Sequence, residues 1–256
     1  MRIVIIGSGN IAHFFAPRFQ SKGHDIIQIY SREENNAALL AKACNVPSYT
    51  NQLSEIDKTA DAYILAVKDG ALEYLNQTLS LKGKLVIHCA GAVSLDTISN
   101  ISENVGVIWT LYSINKKNLP TSNDIPLIVE ANNSKGLEDT MSLAKAISEN
   151  VLQANASQRQ MLHLNAVIVN NFTNHLLTIA QKLSEENKFP FEILQPIIQQ
   201  TFSQIQNILP SESQTGPAIR KDDETIKKHL SLLENHPVWH QIYKDISASI
   251  QETVEV

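Results

Sequence analysis

Gly7, Gly9 and Ala12 stand at the spacing G-x-G-x-x-A, directly after the apolar run Arg2–Ile6 and at the head of an amphipathic stretch, Ile11–Lys22. That pattern suits phosphate binding. Gly7 permits a tight turn, Gly9 lets a pyrophosphate approach bare backbone, and Ala12 lets the helix sit close on the strand. The helix start then offers free N–H groups and a partial positive charge to an anion. Gly7, Ser8, Gly9, Asn10, Ile11 and Ala12 are therefore candidate dinucleotide-binding residues. The competing reading is a structural turn with no ligand.

A second apolar strand, Asp25–Tyr30, ends in Ser31 and Arg32, with no carboxylate at its tip. NAD enzymes usually place an acid there for the ribose 2′-hydroxyl. A hydroxyl and a guanidinium suit a 2′-phosphate instead, so the expected cofactor is NADP. Glu33 and Glu34 argue the other way, and Ser31-x-x-Glu34 also reads as a capping box for the next helix.

Further candidates lie at other strand ends, where ligands of such sheets bind. Ala66, Val67 and Lys68 stand at the end of the strand beginning at Ala62, and Lys68 suits either a phosphate or a solvated loop. His88 ends the strand Lys84–His88, with Gly91 just beyond; it either polarises a carbonyl and delivers a proton or is a structural histidine. The aromatic segment Trp109–Ser113 reads better as packing than as a substrate pocket.

The later part of the chain carries Asn171 and His175, four residues apart on one helical face. It also carries the segment Gln214–Asp223, in which Gly216-Pro217 makes a turn and Arg220 suits either a substrate anion or a structural ion pair. Asp222, Ile226 and His229 would share a helical face. His88, Asn171, His175 and His229 are the candidate catalytic residues; Gly216, Arg220 and Asp222 are the candidate substrate contacts. His236 and His240 lack a third ligand, so no metal site is expected.

The elements that must position these residues fall into two styles. Residues 1–155 alternate β-branched runs with helix-length segments. That alternation predicts an α/β domain, Rossmann-like and doubly wound on a largely parallel sheet. Expected strands are Arg2–Ile6, Asp25–Tyr30, Ala62–Val67, Lys84–His88, Gly106–Leu111, Pro126–Glu130 and Val151–Ala154. Residues 156–256 read as an all-α domain for substrate and dimerisation, with helices over Gln158–Asn187, Phe191–Ile208, Thr225–Asn235 and Pro237–Val254, punctuated by Pro190, Pro210 and Pro217. The Gln158–Asn187 helix is apolar around much of its circumference. A helix of that kind must be covered on all sides, so it and the following helix are expected to build a homodimer.

Composition removes whole classes of function. With 43% apolar and 18% charged residues in 256, the chain is a folded one with enough material for two modest domains. Its net charge is −5 and neither half is basic, which argues against a nucleic-acid partner. No apolar run approaches a membrane span, and the first strand runs straight into the glycine turn without a leader cleavage site. Two cysteines, Cys44 and Cys89, are too few for a disulfide scaffold, so a cytoplasmic protein is expected.

The segments GSGNIA, IHCAG, LHLNAVIVNNFTNHL and QTGPAIRKDD with the following His229-Leu230 resemble a family of NADP-dependent oxidoreductases across nearly the whole chain. In that family a Rossmann-like domain precedes a helical domain of unassigned function. It is distantly similar to pyrroline-5-carboxylate reductase and to deazaflavin-linked NADP oxidoreductases. The resemblance implies NADP at the glycine turn and dimerisation through the helices. Two departures are plain: Ala90 replaces a hydroxyl residue before the glycine matching Gly91, and Thr110 stands where relatives turn at a proline. The broader hydroxyacid dehydrogenases use a lysine on the first long helix of the second domain. Residues 158–181 contain none, so that acid–base scheme does not carry over.

Together these features predict an NADP-dependent reductase or dehydrogenase acting on a small carbonyl or imine in the cleft between the domains. A non-catalytic NADP-binding redox sensor or scaffold is the alternative. Pyrroline-5-carboxylate reductase itself is a third, weakened by the lack of its C-terminal Gly/Thr-rich segment.

Overall fold

A computed structural model describes residues 1–253. Eight strands form one sheet in the order β3-β2-β1-β4-β5-β6-β7-β8. They are β1 (Arg2–Ile6), β2 (Asp25–Tyr30), β3 (Tyr49–Thr50), β4 (Ala62–Leu65), β5 (Leu85–His88), β6 (Asn104–Thr110), β7 (Leu127–Ala131) and β8 (Val151–Gln153). Neighbours pair in parallel except β6 and β7, which are antiparallel. Helices α1 (Asn10–Ser21), α2 (Glu34–Ala43), α3 (Leu72–Thr78) and α4 (Ser134–Ile147) connect the strands. The sheet is the expected Rossmann-like doubly wound architecture.

Two apolar layers explain why these runs became strands. Ile3 and Ile5 face a core with Phe14, Phe15, Phe19, Leu40 and Leu143. Val4 and Ile6 face the opposite core with Leu72, Leu75 and Ile98. A strand covered on both faces needs continuous apolar sequence, which is what RIVII supplies.

Beyond β8 the chain is helical: α5 (Ala156–Ala166), α6 (Thr173–Glu186), α7 (Gln195–Gln204), α8 (Pro210–Ser213), α9 (Asp223–Leu232) and α10 (Pro237–Thr253). Two compact units divide between Val169 and Asn170. The long helix expected over Gln158–Asn187 is interrupted by a π-helical stretch, Val167–Phe172. Its residues, VIVNNF, are β-branched, amide or aromatic, all weak helix formers. Among the described residues, no helix is long and apolar enough to cross a membrane.

Candidate functional site: a cavity at the carboxyl ends of the parallel strands

β1 lies between β2 and β4, so the winding of the sheet reverses at β1. Such a switch point leaves a crevice beyond the strand ends. Here it is a cavity of about 330 Å³, lined by Gly7, Ser8 and Gly9 after β1, Ser31, Arg32 and Glu33 after β2, and Ala66, Val67 and Lys68 after β4. Tyr30, Asn36, Tyr74 and Lys116 complete much of the wall.

The two glycines have different reasons to be there. Gly7 has φ +128°, and a Cβ at that position would sit 2.1 Å from the Ala66 carbonyl oxygen. Gly9 meets nothing within 4 Å, so open space lies over its backbone. Gly9 is also the N-cap of α1, and no side chain caps that helix. Its first-turn N–H groups therefore have no intrahelical acceptor. Three cations, Arg32, Lys68 and Lys116, share the cavity with one carboxylate, Glu33, in a chain whose net charge is −5. Open backbone, free N–H donors and surplus positive charge fit a dinucleotide phosphate.

Ser31 does not open the next helix. α2 starts at Glu34 with Glu33 as N-cap and no side-chain cap. The Ser31 hydroxyl instead lies 2.8 Å from that of Ser8, tying the β2 tip to the glycine turn. The capping-box reading is therefore corrected: the backbone needs two more residues to leave β2 before it can coil. Asn10, Ile11, Ala12 and Gly91 do not line the cavity. The Asn10 side-chain oxygen accepts from the Lys116 N–H at 3.1 Å. Ile11 packs against the core and Ala12 is within it.

At the end of β5 the buried polar groups form a cluster. His88 is fully enclosed. Its Nδ1 accepts from the Ala90 N–H at 3.2 Å, so the proton of the neutral ring sits on Nε2, which has no partner among the described residues. Burial first, and the nearby Arg159 cation second, push its pKa down to about 3. Gly91 is buried, and a Cβ there would lie 2.5 Å from the Trp109 ring, so the position takes only glycine. Burial likewise raises the neighbouring Cys89 thiol far above its ordinary range.

Arg159, on α5, is 1% exposed. Its Nη1 donates to the carbonyls of Gly91 at 2.8 Å and Val93 at 3.0 Å. Its Nε donates to Glu130 Oε2 at 2.8 Å. Nη2 is 2.7 Å from the same oxygen but off the hydrogen-bonding direction, so that contact is an ion pair. The guanidinium thus ties α5, β7 and the loop after β5 together.

The remaining candidates belong to the helical unit. Asn171, within the π-helical stretch, and His175, on α6, are exposed. His229 lies 2.8 Å from the Tyr243 hydroxyl through Nδ1. Gly216 takes φ +108°, and Arg220 is exposed. Asp222 is not on a helical face with Ile226 and His229: it is the N-cap of α9, accepting from the Thr225 N–H at 3.1 Å and hydroxyl at 2.8 Å. Those bonds hold its carboxyl below the usual range. Pro217 and Ala218 of the same segment line an apolar cavity of about 330 Å³ with Leu183, Trp239 and Tyr243.

Sequence reasoning missed Tyr74, Lys116 and Arg159. No spacing links the first two to the glycine turn. Arg159 did leave a trace: it is the only Lys or Arg between Lys145 and Lys182.

Residues 2–91 match the family described as NADP oxidoreductase, coenzyme F420-dependent. Residues 125–250 match a domain of unknown function, DUF2520. A search among curated proteins finds no match. Among solved structures, a Bacteroides fragilis protein named "putative NADP oxidoreductase" is 33% identical, with 98% of each chain covered and a TM-score of 0.89. A Thermotoga maritima protein is 21% identical, with 99% of this chain and 100% of that one covered, at a TM-score of 0.81. The 1-pyrroline-5-carboxylate reductase of Streptococcus pyogenes shares the fold at 16% identity, covering 100% of this chain and 99% of that one, with a TM-score of 0.64. Identity of 33% over 98% of both chains shows that this chain belongs to the same NADP oxidoreductase family as the Bacteroides fragilis protein.

Proposed function

We propose that the protein is an NADP-dependent reductase or dehydrogenase that moves hydride between the nicotinamide and a small carbonyl or imine. The observation that carries this reading is the pairing of an uncapped α1 with Ser31 and Arg32 at the tip of β2. The first would hold the pyrophosphate and the second the 2′-phosphate. Bound NADP would supply the hydride chemistry. The substrate class follows the fold neighbours, which include 1-pyrroline-5-carboxylate reductase and an imine reductase.

The substrate would lie against the nicotinamide. Asn171, His175 and His229 are the proposed polar groups facing it, with Gly216, Arg220 and Asp222 shaping its site. His229 with Tyr243 is a pair able to pass a proton. His88 is proposed as a neutral hydrogen-bond donor through Nε2, since its depressed pKa rules out an imidazolium near pH 7. The working form would be a homodimer through the helical segments 158–187 and 191–208, where Met161, Leu164, Phe172, Leu176, Ile197 and Phe202 are exposed. A cytoplasmic location agrees with the two free, buried cysteines.

Calorimetric titration tests the cofactor assignment. Arg32→Ala should weaken NADPH about 10- to 100-fold and leave NADH nearly unchanged. Equal losses for both would end the 2′-phosphate role. NADPH oxidation followed by absorbance with a panel of cyclic imines and ketones tests the chemistry. Tight NADPH binding with no turnover on any class would favour a redox sensor or scaffold.

A further inference from the structure

The segment between β6 and β7, residues 111–126, folds back across α1. Ile114 and Ile125 are buried in the core that holds Phe14 and Phe15, and Leu119 packs against it. Arg18, in the last turn of α1, donates to the carbonyls of Pro120 at 2.7 Å and Ser122 at 3.0 Å. At the other end of the helix, the Asn10 side-chain oxygen accepts from the Lys116 N–H at 3.1 Å. Between these ties Asn115 and Asn118 form a β-bridge, and the Asn115 side chain accepts from the Lys117 N–H at 3.0 Å. The segment is therefore fastened at both ends of α1 and through its apolar side chains.

Its one contribution to the cavity wall is Lys116, beside Gly7, Ser8 and Gly9. The backbone of Lys116 is tied to the first residue of α1, where the helix offers its free N–H groups. Arg32 reaches the same cavity from the tip of β2. The two cations thus enter from different elements, one anchored at the helix start and the other just beyond the tip of β2.

We propose that Lys116, held over the glycine turn by Asn10, is a phosphate-binding residue that acts on the pyrophosphate common to NADP and NAD and not on the 2′-phosphate. This rests on the dinucleotide reading of the cavity and adds a residue 106 positions along the chain from Asn10. A flexible ammonium reaches one phosphate as a point charge. Its fixed backbone limits the freedom lost when a ligand arrives. The positive charge is also set where the chain's overall negative charge would otherwise oppose a dianionic bridge.

The experiment is calorimetric titration of the full chain with NADPH and with NADH. Lys116→Ala should weaken both cofactors by the same factor, about 5- to 20-fold. Lys116→Arg should restore most of the affinity, because the charge is kept. Asn10→Ala, which removes the acceptor but not the cation, should weaken both cofactors by a smaller common factor. The loss in Lys116→Ala should shrink as salt is raised. A loss confined to NADPH would assign Lys116 to the 2′-phosphate and overturn the proposal. Unchanged affinity for both would overturn it while leaving the cavity as the cofactor site. If the wild-type protein binds neither dinucleotide, the cofactor reading falls and the proposal falls with it.

Discussion

The Nδ1 of His88 accepts from Ala90 and the ring is closed off from water, so its neutral form is the stable one in the folded chain. Its folded pKa, about 3, lies below the ordinary 6.5. Above pH 6.5 neither state carries the proton. Between about pH 6.5 and 3 the unfolded chain binds a proton that the folded chain refuses, so stability falls as pH falls through that window, by on the order of 4 kcal/mol at its lower end. Urea denaturation at pH 7.5, 6, 5 and 4 should show this slope, and His88→Gln should flatten it. An unaltered slope in the variant would move the titrating group elsewhere. At this scale the sequence was informative where backbone conformation constrains residue type. Gly7, Gly9, Ser31 and Arg32 were legible because a turn, a bare approach and a strand tip each demand particular residues. Burial of His88 was not, because nothing in IHCAG tells a strand-end histidine that reaches solvent from one enclosed beside Arg159.

Arg159 belongs to the scale of elements, since it joins helix α5, strand β7 and the loop after β5. Arg159→Leu leaves the partly buried Glu130 carboxylate without its cation, and such a loss costs about 3–5 kcal/mol. Denaturant unfolding should show that loss. The double variant Arg159→Leu with Glu130→Leu should recover only part of it, because the carbonyls of Gly91 and Val93 still lack a donor. A single variant as stable as wild type would mean that water replaces the guanidinium. Most elements were legible: β1 and β2 span Arg2–Ile6 and Asp25–Tyr30 as expected, and the other expected strands differ by a residue or two at their ends. β3 escaped because two residues, Tyr49 and Thr50, leave no period to detect. The short α3 escaped because LEYLNQT shows its apolar positions over barely two turns.

At the scale of the whole molecule, the segment 193–209 exposes a run of apolar side chains. Ile193 and Ile197 are 70% and 61% exposed, and Phe202, Ile205, Ile208 and Leu209 are exposed as well. Apolar area of that extent around α7 suits a two-fold partner. Sedimentation at low micromolar concentration should give roughly twice the 28.4 kDa chain mass. Ile193→Glu with Ile197→Glu should shift the population toward monomer. A wild-type monomer would leave that face to another partner. The two-style organisation was legible because β-branched runs alternate with helix-length segments up to β8 and no such run follows it. The π-helical break was not, since VIVNNF keeps a helical apolar spacing while weakening the local preference for the α form.

The match to DUF2520 begins at residue 125, just before β7. The last strands of the sheet, β7 and β8, and helix α4 between them therefore fall within the same match as the helices and outside the match that holds the glycine turn. Glu130 and Arg159 both lie on that later segment, while the carbonyls they organise, at Gly91 and Val93, lie at or just past the end of the earlier match, residues 2–91. The guanidinium thus joins a residue of the second matched segment to carbonyls at the edge of the first. A chimera that exchanged the first piece for a relative's would have to bring a loop after β5 that presents carbonyls to the same arginine, and a relative lacking that arginine would need its own fastening at the same place.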